Sequence, residues 1–191
     1  MSATALLLHP TNIPGVVYAD TPRYSDERGY FTELWNDALF AAADITNHWV
    51  QDNLSFSRRG TVRGLHFQTG AFAQAKLVRA LTGRILDVGV DLRCGSPTYG
   101  RHFAVELTPE SGRVLYMPKG IAHGFAVLSD GALFHYKCDA PYSPEHQGGL
   151  AFDDPALAIS WPIPPEQRIL SDADRRHPPL SQITPWRGEP Q

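Results

Sequence analysis

Short stretches of alternating apolar and polar residues, broken by turn signals, dominate the chain. The run Ile85–Leu92 (ILDVGVDL) is the clearest: Ile85, Asp87, Gly89 and Asp91 share one face, and Leu86, Val88, Val90 and Leu92 share the other. That period of two predicts a strand with one apolar face and a second face whose carboxylates line a polar barrel interior. Comparable runs predict strands at 16–19, 30–35, 49–57, 62–68, 76–81, 102–107, 113–117, 122–128 and 133–138. The best helix candidate is 36–43, with Asn36 as N-cap and Asp37 in its first turn. Asp154-Pro155-Ala156-Leu157-Ala158 predicts a short helical turn with Pro155 at its first position. The sixteen glycines and sixteen prolines are spread between these runs, which favours a β-sandwich or barrel over a layered α/β fold. From about Trp161 the chain is proline-rich and is expected to wrap the surface. No repeat, low-complexity run or linker divides it, so residues 1–191 are read as one domain.

Composition removes several classes of function. A formal net charge of -3 leaves no polybasic surface for nucleic acid or an anionic membrane. Cys94 and Cys138 form neither a CxxC nor a disulfide framework and read as idle thiols in a reducing compartment. Residues 1–10 offer only Ala5-Leu6-Leu7-Leu8 as an apolar run and no basic segment before it, too little for a signal peptide or membrane span. A cytoplasmic protein is expected.

The chemistry is concentrated in two fragments. Arg63-Gly64-Leu65-His66-Phe67-Gln68 sets an arginine and a histidine three apart in a strand, and Pro118-Lys119-Gly120-Ile121-Ala122-His123-Gly124-Phe125 brings a second histidine after a turn. The pair resembles a cupin barrel whose first metal motif, His-x-His, has Gln68 where the second histidine belongs. A lone histidine from each motif is a poor transition-metal site, so no metal and no other cofactor is expected. His66 then reads as a proton carrier or, taken alone, as a hydrogen-bonded structural histidine.

Further stretches extend the likeness: Asp26-Glu27-Arg28-Gly29-Tyr30-Phe31-Thr32-Glu33, Gln51-Asp52-Asn53-Leu54-Ser55, Gln74-Ala75-Lys76-Leu77-Val78, Ser96-Pro97-Thr98-Tyr99-Gly100, Tyr136-Lys137, Tyr142-Ser143-Pro144 and Leu170-Ser171-Asp172-Ala173-Asp174. In this order and spacing the chain resembles the dTDP-4-dehydrorhamnose 3,5-epimerase family from about Asp26 to Leu180. The resemblance implies an all-β, cupin-type jelly roll with a few short helices. It implies epimerisation at C3′ and C5′ of dTDP-4-dehydro-6-deoxy-D-glucose to dTDP-4-dehydro-L-rhamnose through an enolate, for L-rhamnose synthesis. It further implies a homodimer in which an N-terminal segment reaches the neighbour's site.

Within that resemblance His66 is the base, Asp174 its orienting partner, Tyr136 the acid on the opposite face, and Lys76 a cation at the enolate oxygen. Arg63 and His123 are assigned to the same oxygen or to substrate contact. A solvated strand edge is a more natural place for Lys76 than for Arg63. Arg28 and Glu33 are assigned to the phosphates and sugar hydroxyls, Gln51 and Asn53 to the nucleotide, and Tyr142 to stacking on the base. Arg28 also reads as a plain charged-turn residue. The family pattern allows a glutamate at Gln147 and a lysine at Ala173. Gln147 keeps a hydrogen bond to substrate without the charge, Ala173 keeps neither, and Arg175 or Arg176 is a candidate substitute. The alternatives are a mono-epimerase acting at C3′ or C5′ only, a metal-dependent cupin enzyme, and a non-catalytic nucleotide-sugar module.

Overall fold

The computed structural model describes residues 6–188. Its strands are β1 (His9–Pro10), β2 (Val17–Asp20), β3 (Tyr24–Asp26), β4 (Gly29–Phe31), β5 (Gln51–Arg58), β6 (Val62–Gln68), β7 (Lys76–Thr82), β8 (Ile85–Asp91), β9 (His102–Leu107), β10 (Arg113–Met117), β11 (Ile121–Val127), β12 (Gly131–Cys138) and β13 (Gln147–Gly149). A six-stranded sheet has the order β1-β2-β10-β7-β12-β5, a five-stranded sheet the order β13-β6-β11-β8-β9, and β3 pairs with β4 as a separate hairpin. This is the expected all-β jelly roll of cupin type.

The sheets enclose an apolar interior. Val78, Leu115, Met117 and Phe134 from the larger sheet meet Ile85, Phe103, Leu107 and Phe125 from the smaller one, all at most 5% exposed. The smaller sheet also has a covered outer face. Val62, Leu65, Val88, Val90 and Leu92 pack there against Leu150, Phe152, Leu157, Trp161 and Ile163. The wrapping segment from Trp161 is therefore core as well as surface. It also explains why β8 is buried along nearly its whole length, where its alternation suggested one apolar face. Outside the larger sheet, Phe40 and Ile45 cover Ala19, Leu77 and Val114.

Phe40 belongs to α1 (Asp37–Ala41), which is shorter than the predicted helix. Asn36 caps it as expected, its Oδ1 accepting from the Leu39 N–H at 3.2 Å. The chain then leaves the helix, with Asp44 at a φ of 61°. The predicted short turn at 154–158 is present, closed by the Leu157 N–H on the Asp154 carbonyl at 3.0 Å, and it does not extend into a helix. Asp154 Oδ1 accepts from the Ala156 N–H at 2.9 Å and Oδ2 from the Leu180 N–H at 2.6 Å, and Ala158 has a φ of 50°. A side chain that ties its own turn to a distant backbone competes with helix propagation.

The two β8 carboxylates separate in role. Asp91 is fully buried, but it clamps the loop into β9 instead of lining the interior. It accepts from Arg93 at 2.8 Å on both oxygens, from Ser96 Oγ at 2.6 Å and from Thr98 Oγ1 at 2.6 Å. Burial alone would raise its pKa, yet these donors hold it at about 2 against an ordinary 3.8. A depressed carboxylate stabilises the fold above the unfolded pKa and loses that contribution as pH falls through the folded one, here on the order of 2 kcal/mol. Asp91→Asn is expected to lower the thermal midpoint at pH 7 by roughly 5 °C. The deficit relative to the parent should shrink as pH is taken from 4 down through 2; calorimetry across that range checks both.

Candidate active site

A cavity of about 140 Å³ is walled by both sheets. β5 contributes Gln51 and Asn53, β6 contributes His66, Phe67 and Gln68, and β7 contributes Lys76, with Gln74 just before it. β12 contributes Tyr136 and Cys138, and the following segment contributes Tyr142 and Gln147. Residues 85 positions apart in the sequence thus become neighbours because β5, β12 and β7 are adjacent strands.

His66 and His123 are cross-strand partners where β6 runs beside β11. The pairing is irregular just beyond them, and glycine makes this possible. Gly64 has a φ of 121°, and a Cβ there would lie 2.6 Å from Gly124 Cα. No side chain fits such a backbone approach.

His66 Nε2 lies 2.5 Å from Asp174 Oδ1. Asp174 is 4% exposed, and its Oδ2 accepts from Ser171 Oγ at 2.7 Å. Burial acts to raise the Asp174 pKa, but the bonds from His66 and Ser171 carry it below the ordinary value. An ionised Asp174 accepting from Nε2–H fixes the tautomer and leaves Nδ1 as the nitrogen able to take a proton. His177 adds its Nε2 at 3.5 Å from the same Oδ1, its ring edge-on to that of His66.

His123 does not line the cavity. It is 7% exposed, and its Nε2 is 2.9 and 3.1 Å from the two oxygens of fully buried Asp87. Burial lowers the His123 pKa and raises that of Asp87, so each is pushed toward its neutral form. Lys76, half-buried, feels Asp87 as well, but burial dominates and lowers its pKa. Burial likewise raises the Tyr136 hydroxyl, opposed by the Arg63 charge, and lifts the Cys138 thiol to about 11.

The expected contrast between the two cations is reversed. Lys76 stands in the cavity wall, whereas Arg63 is exposed and bonds Ser57 Oγ at 2.9 Å. Arg63 reaches across to β5, where its Nη2 is also 3.5 Å from the Phe56 carbonyl oxygen. Arg28 is also away from the cavity. It sits at the tip of the β3–β4 hairpin, its side chain 85% exposed and paired with Asp26. Glu33 accepts from Asn36 Nδ2 at 3.3 Å. Ala173 opens the turn that carries Asp174, and Arg175 and Arg176 are exposed beyond it.

The nucleotide-side candidates instead form a bonded row. Gln51 Nε2 donates to Asn53 Oδ1 at 2.9 Å, the Tyr142 N–H donates to Gln51 Oε1 at 2.8 Å, and Tyr142 OH donates to Gln147 Oε1. Gln68, read from sequence only as a missing histidine, is a tie. Its Nε2 donates to the carbonyls of Phe72 and Pro141 at 2.9 and 3.1 Å, and its Oε1 accepts from the Ser143 N–H at 2.6 Å. Sequence reasoning also missed Asp87 as the partner of His123, Ser171 behind Asp174, and His177. The strand pattern marked Asp87, but nothing local pairs it with a residue 36 positions away.

A family model described as dTDP-4-dehydrorhamnose 3,5-epimerase matches residues 10–182. The dTDP-4-dehydrorhamnose 3,5-epimerase of Methanothermobacter thermautotrophicus is 44% identical over 90% of this chain and 93% of its own. The crystal structure of the Legionella pneumophila dTDP-6-deoxy-D-glucose-3,5-epimerase with dTDP-4-keto-L-rhamnose is 40% identical, covers 97% of this chain and 100% of that one, and superposes with a TM-score of 0.92. A 3′-monoepimerase from Streptomyces bikiniensis in complex with dTDP-quinovose is similar at 34% identity, 91% and 87% coverage and a TM-score of 0.84.

Gly64→Ala is expected to destabilise the protein by roughly 2 kcal/mol or more, because both the backbone approach and the positive φ are lost. It should also displace His66, so that any activity retained at low temperature falls with it. Chemical denaturation alongside turnover checks the pair of effects.

Proposed function

The chain belongs to the dTDP-4-dehydrorhamnose 3,5-epimerase family, and we propose that it converts dTDP-4-dehydro-6-deoxy-D-glucose to dTDP-4-dehydro-L-rhamnose by inverting C3′ and C5′. The observation that carries the mechanism is the placement of His66, Lys76 and Tyr136 on one cavity, with His66 held from behind by Asp174.

In this reading His66 Nδ1 takes the proton from a carbon beside the C4′ ketone. The C–H electron pair passes into the ring and the carbonyl pair onto oxygen, giving an enolate. The Lys76 ammonium, in the wall of the same cavity, would meet that oxygen as it develops charge, and a partly desolvated cation stabilises it more than one in water. Tyr136 gives its hydroxyl proton to the opposite face of the carbon, and both groups then exchange protons with solvent. The raised Tyr136 pKa suits it to remain protonated until the enolate forms. Gln51, Asn53, Tyr142 and Gln147 would meet the nucleotide.

The placement of Arg28 and Glu33 supports a homodimer as part of the proposal. β5 is an open edge of the larger sheet, with Leu54 61% and Phe56 60% exposed. The hairpin presents Tyr24, Tyr30 and Phe31 at 53–64% exposure. An unpaired strand edge and a hairpin with exposed aromatic side chains are each a surface for a second copy. The hairpin would then carry Arg28 to the partner's diphosphate. Among the described residues no helix is long and apolar enough to cross a membrane. A cytoplasmic location belongs to the same proposal.

Proton NMR of the substrate in D2O tests the chemistry. Deuterium is expected at both C3′ and C5′; incorporation at one carbon only would establish the mono-epimerase, and none would overturn the reading. His66→Ala should slow exchange by roughly 10²–10⁴-fold. Tyr136→Phe should leave proton loss measurable while inversion fails. Leu54→Asp with Phe56→Asp is expected to give a folded monomer of greatly reduced activity, which sedimentation and turnover measured together would reveal.

A further inference from the structure

The side chains behind the cavity form one more arrangement. The ligand-type atoms of His66, Asp174 and His177 lie within 4.8 Å of one another, the one such cluster of His, Cys, Asp or Glu among the described residues. Its least explained member is His177. Its Nε2 is buried and has no hydrogen-bond partner, although it stands 3.5 Å from Asp174 Oδ1. A buried imidazole nitrogen without a partner is costly, and structures generally avoid it. The backbone makes room for the ring all the same: a Cβ on Gly149 would lie 2.2 Å from the His177 ring, and Gly149 is the β13 residue paired with His66.

We propose that His66, Asp174 and His177 form a binding site for a borderline divalent transition cation of the Zn2+ type, and that occupation of it switches the enzyme off. Two imidazole nitrogens and one carboxylate oxygen are a three-ligand set of the kind that leaves a fourth, open position. Hard cations such as Mg2+ prefer all-oxygen sets and are not its ligand class. Tetrahedral zinc with bonds of about 2.0–2.1 Å sets its ligand atoms about 3.4 Å apart. His177 Nε2 and Asp174 Oδ1 already have that spacing. His66 Nε2 stands closer, at hydrogen-bonding distance, and must give up the proton it shares with Asp174 and withdraw by roughly 1 Å. Its side chain is 34% exposed toward the cavity, whereas Asp174 is fixed from behind by Ser171, so the movement falls to His66.

The cation therefore displaces the proton that orients His66. It also turns the imidazole away from the position in which Nδ1 meets the substrate carbon. The binding claim rests on the cluster alone; only its effect on turnover rests on His66 being the base.

Titration calorimetry of chelator-treated protein with ZnCl2 tests the site without substrate. The native chain is expected to bind one Zn2+ per chain, and MgCl2 to give no heat. His177→Ala and His177→Gln should each weaken Zn2+ at least about 10-fold, since even outer-sphere changes cost 10–100-fold. Both variants should resist the zinc inhibition shown by the native enzyme, read for each protein as the ratio of its own rates with and without ZnCl2. The Gln variant retains a polar side chain of similar reach should the Ala variant fold poorly. Absence of Zn2+ binding by the native chain, or equal binding by both variants, would overturn the site. Binding that is lost in the variants without any inhibition of the native enzyme would keep the site and refute its role as a switch.

Discussion

The hydrogen bond from His66 to Asp174 joins residues 108 positions apart, and it depends on the C-terminal segment being laid down on the smaller sheet. Asp174 has no strand to place it; it follows a stretch whose Leu157, Trp161 and Ile163 are buried against Val62, Leu65, Val88 and Val90. Each such side chain contributes about 1.5–3 kcal/mol on burial, far more than the hydrogen bond they position. The orientation of an imidazole is thus set by apolar packing on the opposite side of the sheet. The same segment is pinned at backbone level, where the Leu180 N–H meets Asp154 and Ile169 bridges to Thr61.

Two histidine–aspartate pairs stand on neighbouring positions of β6 and β11, and their surroundings divide their roles. His123 and Asp87 are sealed in the interior, where burial drives both toward neutrality. His66 is one-third exposed, and hydrogen bonding wins over burial at Asp174, which stays ionised. A neutral pair polarises its neighbours weakly and holds geometry; an ionised partner fixes the tautomer of the imidazole that donates to it. Lys76 lies within reach of the sealed pair, and the Asp87 charge opposes the burial that lowers its pKa.

Period-two patterning carried most of the sheet. β6, β9 and β10 have the boundaries that their alternation implies, and the others end within two residues of them, except that the run 30–35 is strand only at its start, in β4. The failures are local in origin. β1, β3 and β13 are too short to express a period, and the Asp26–Gly29 turn conceals a hairpin whose exposed aromatics belong to no core. The residues walling the cavity were legible through family resemblance at His66, Lys76, Tyr136 and Tyr142. The fate of Arg63 and His123 was not, since it depends on which side of β6 and β11 faces the neighbouring sheet. Partners such as Asp87 and Ser171 arise from packing and leave no spacing to read.

The order of elements along the chain also bears on its synthesis. Both sheets can acquire their strands, apart from the short β13 edge, once Cys138 has emerged, and the cavity walls would then be largely in place. Asp174 arrives later. A nascent chain halted between these points would hold an imidazole with no carboxylate behind it and an uncovered apolar sheet face. Chaperones recognise such a surface, and competence and concealment from quality control are gained in the same final event.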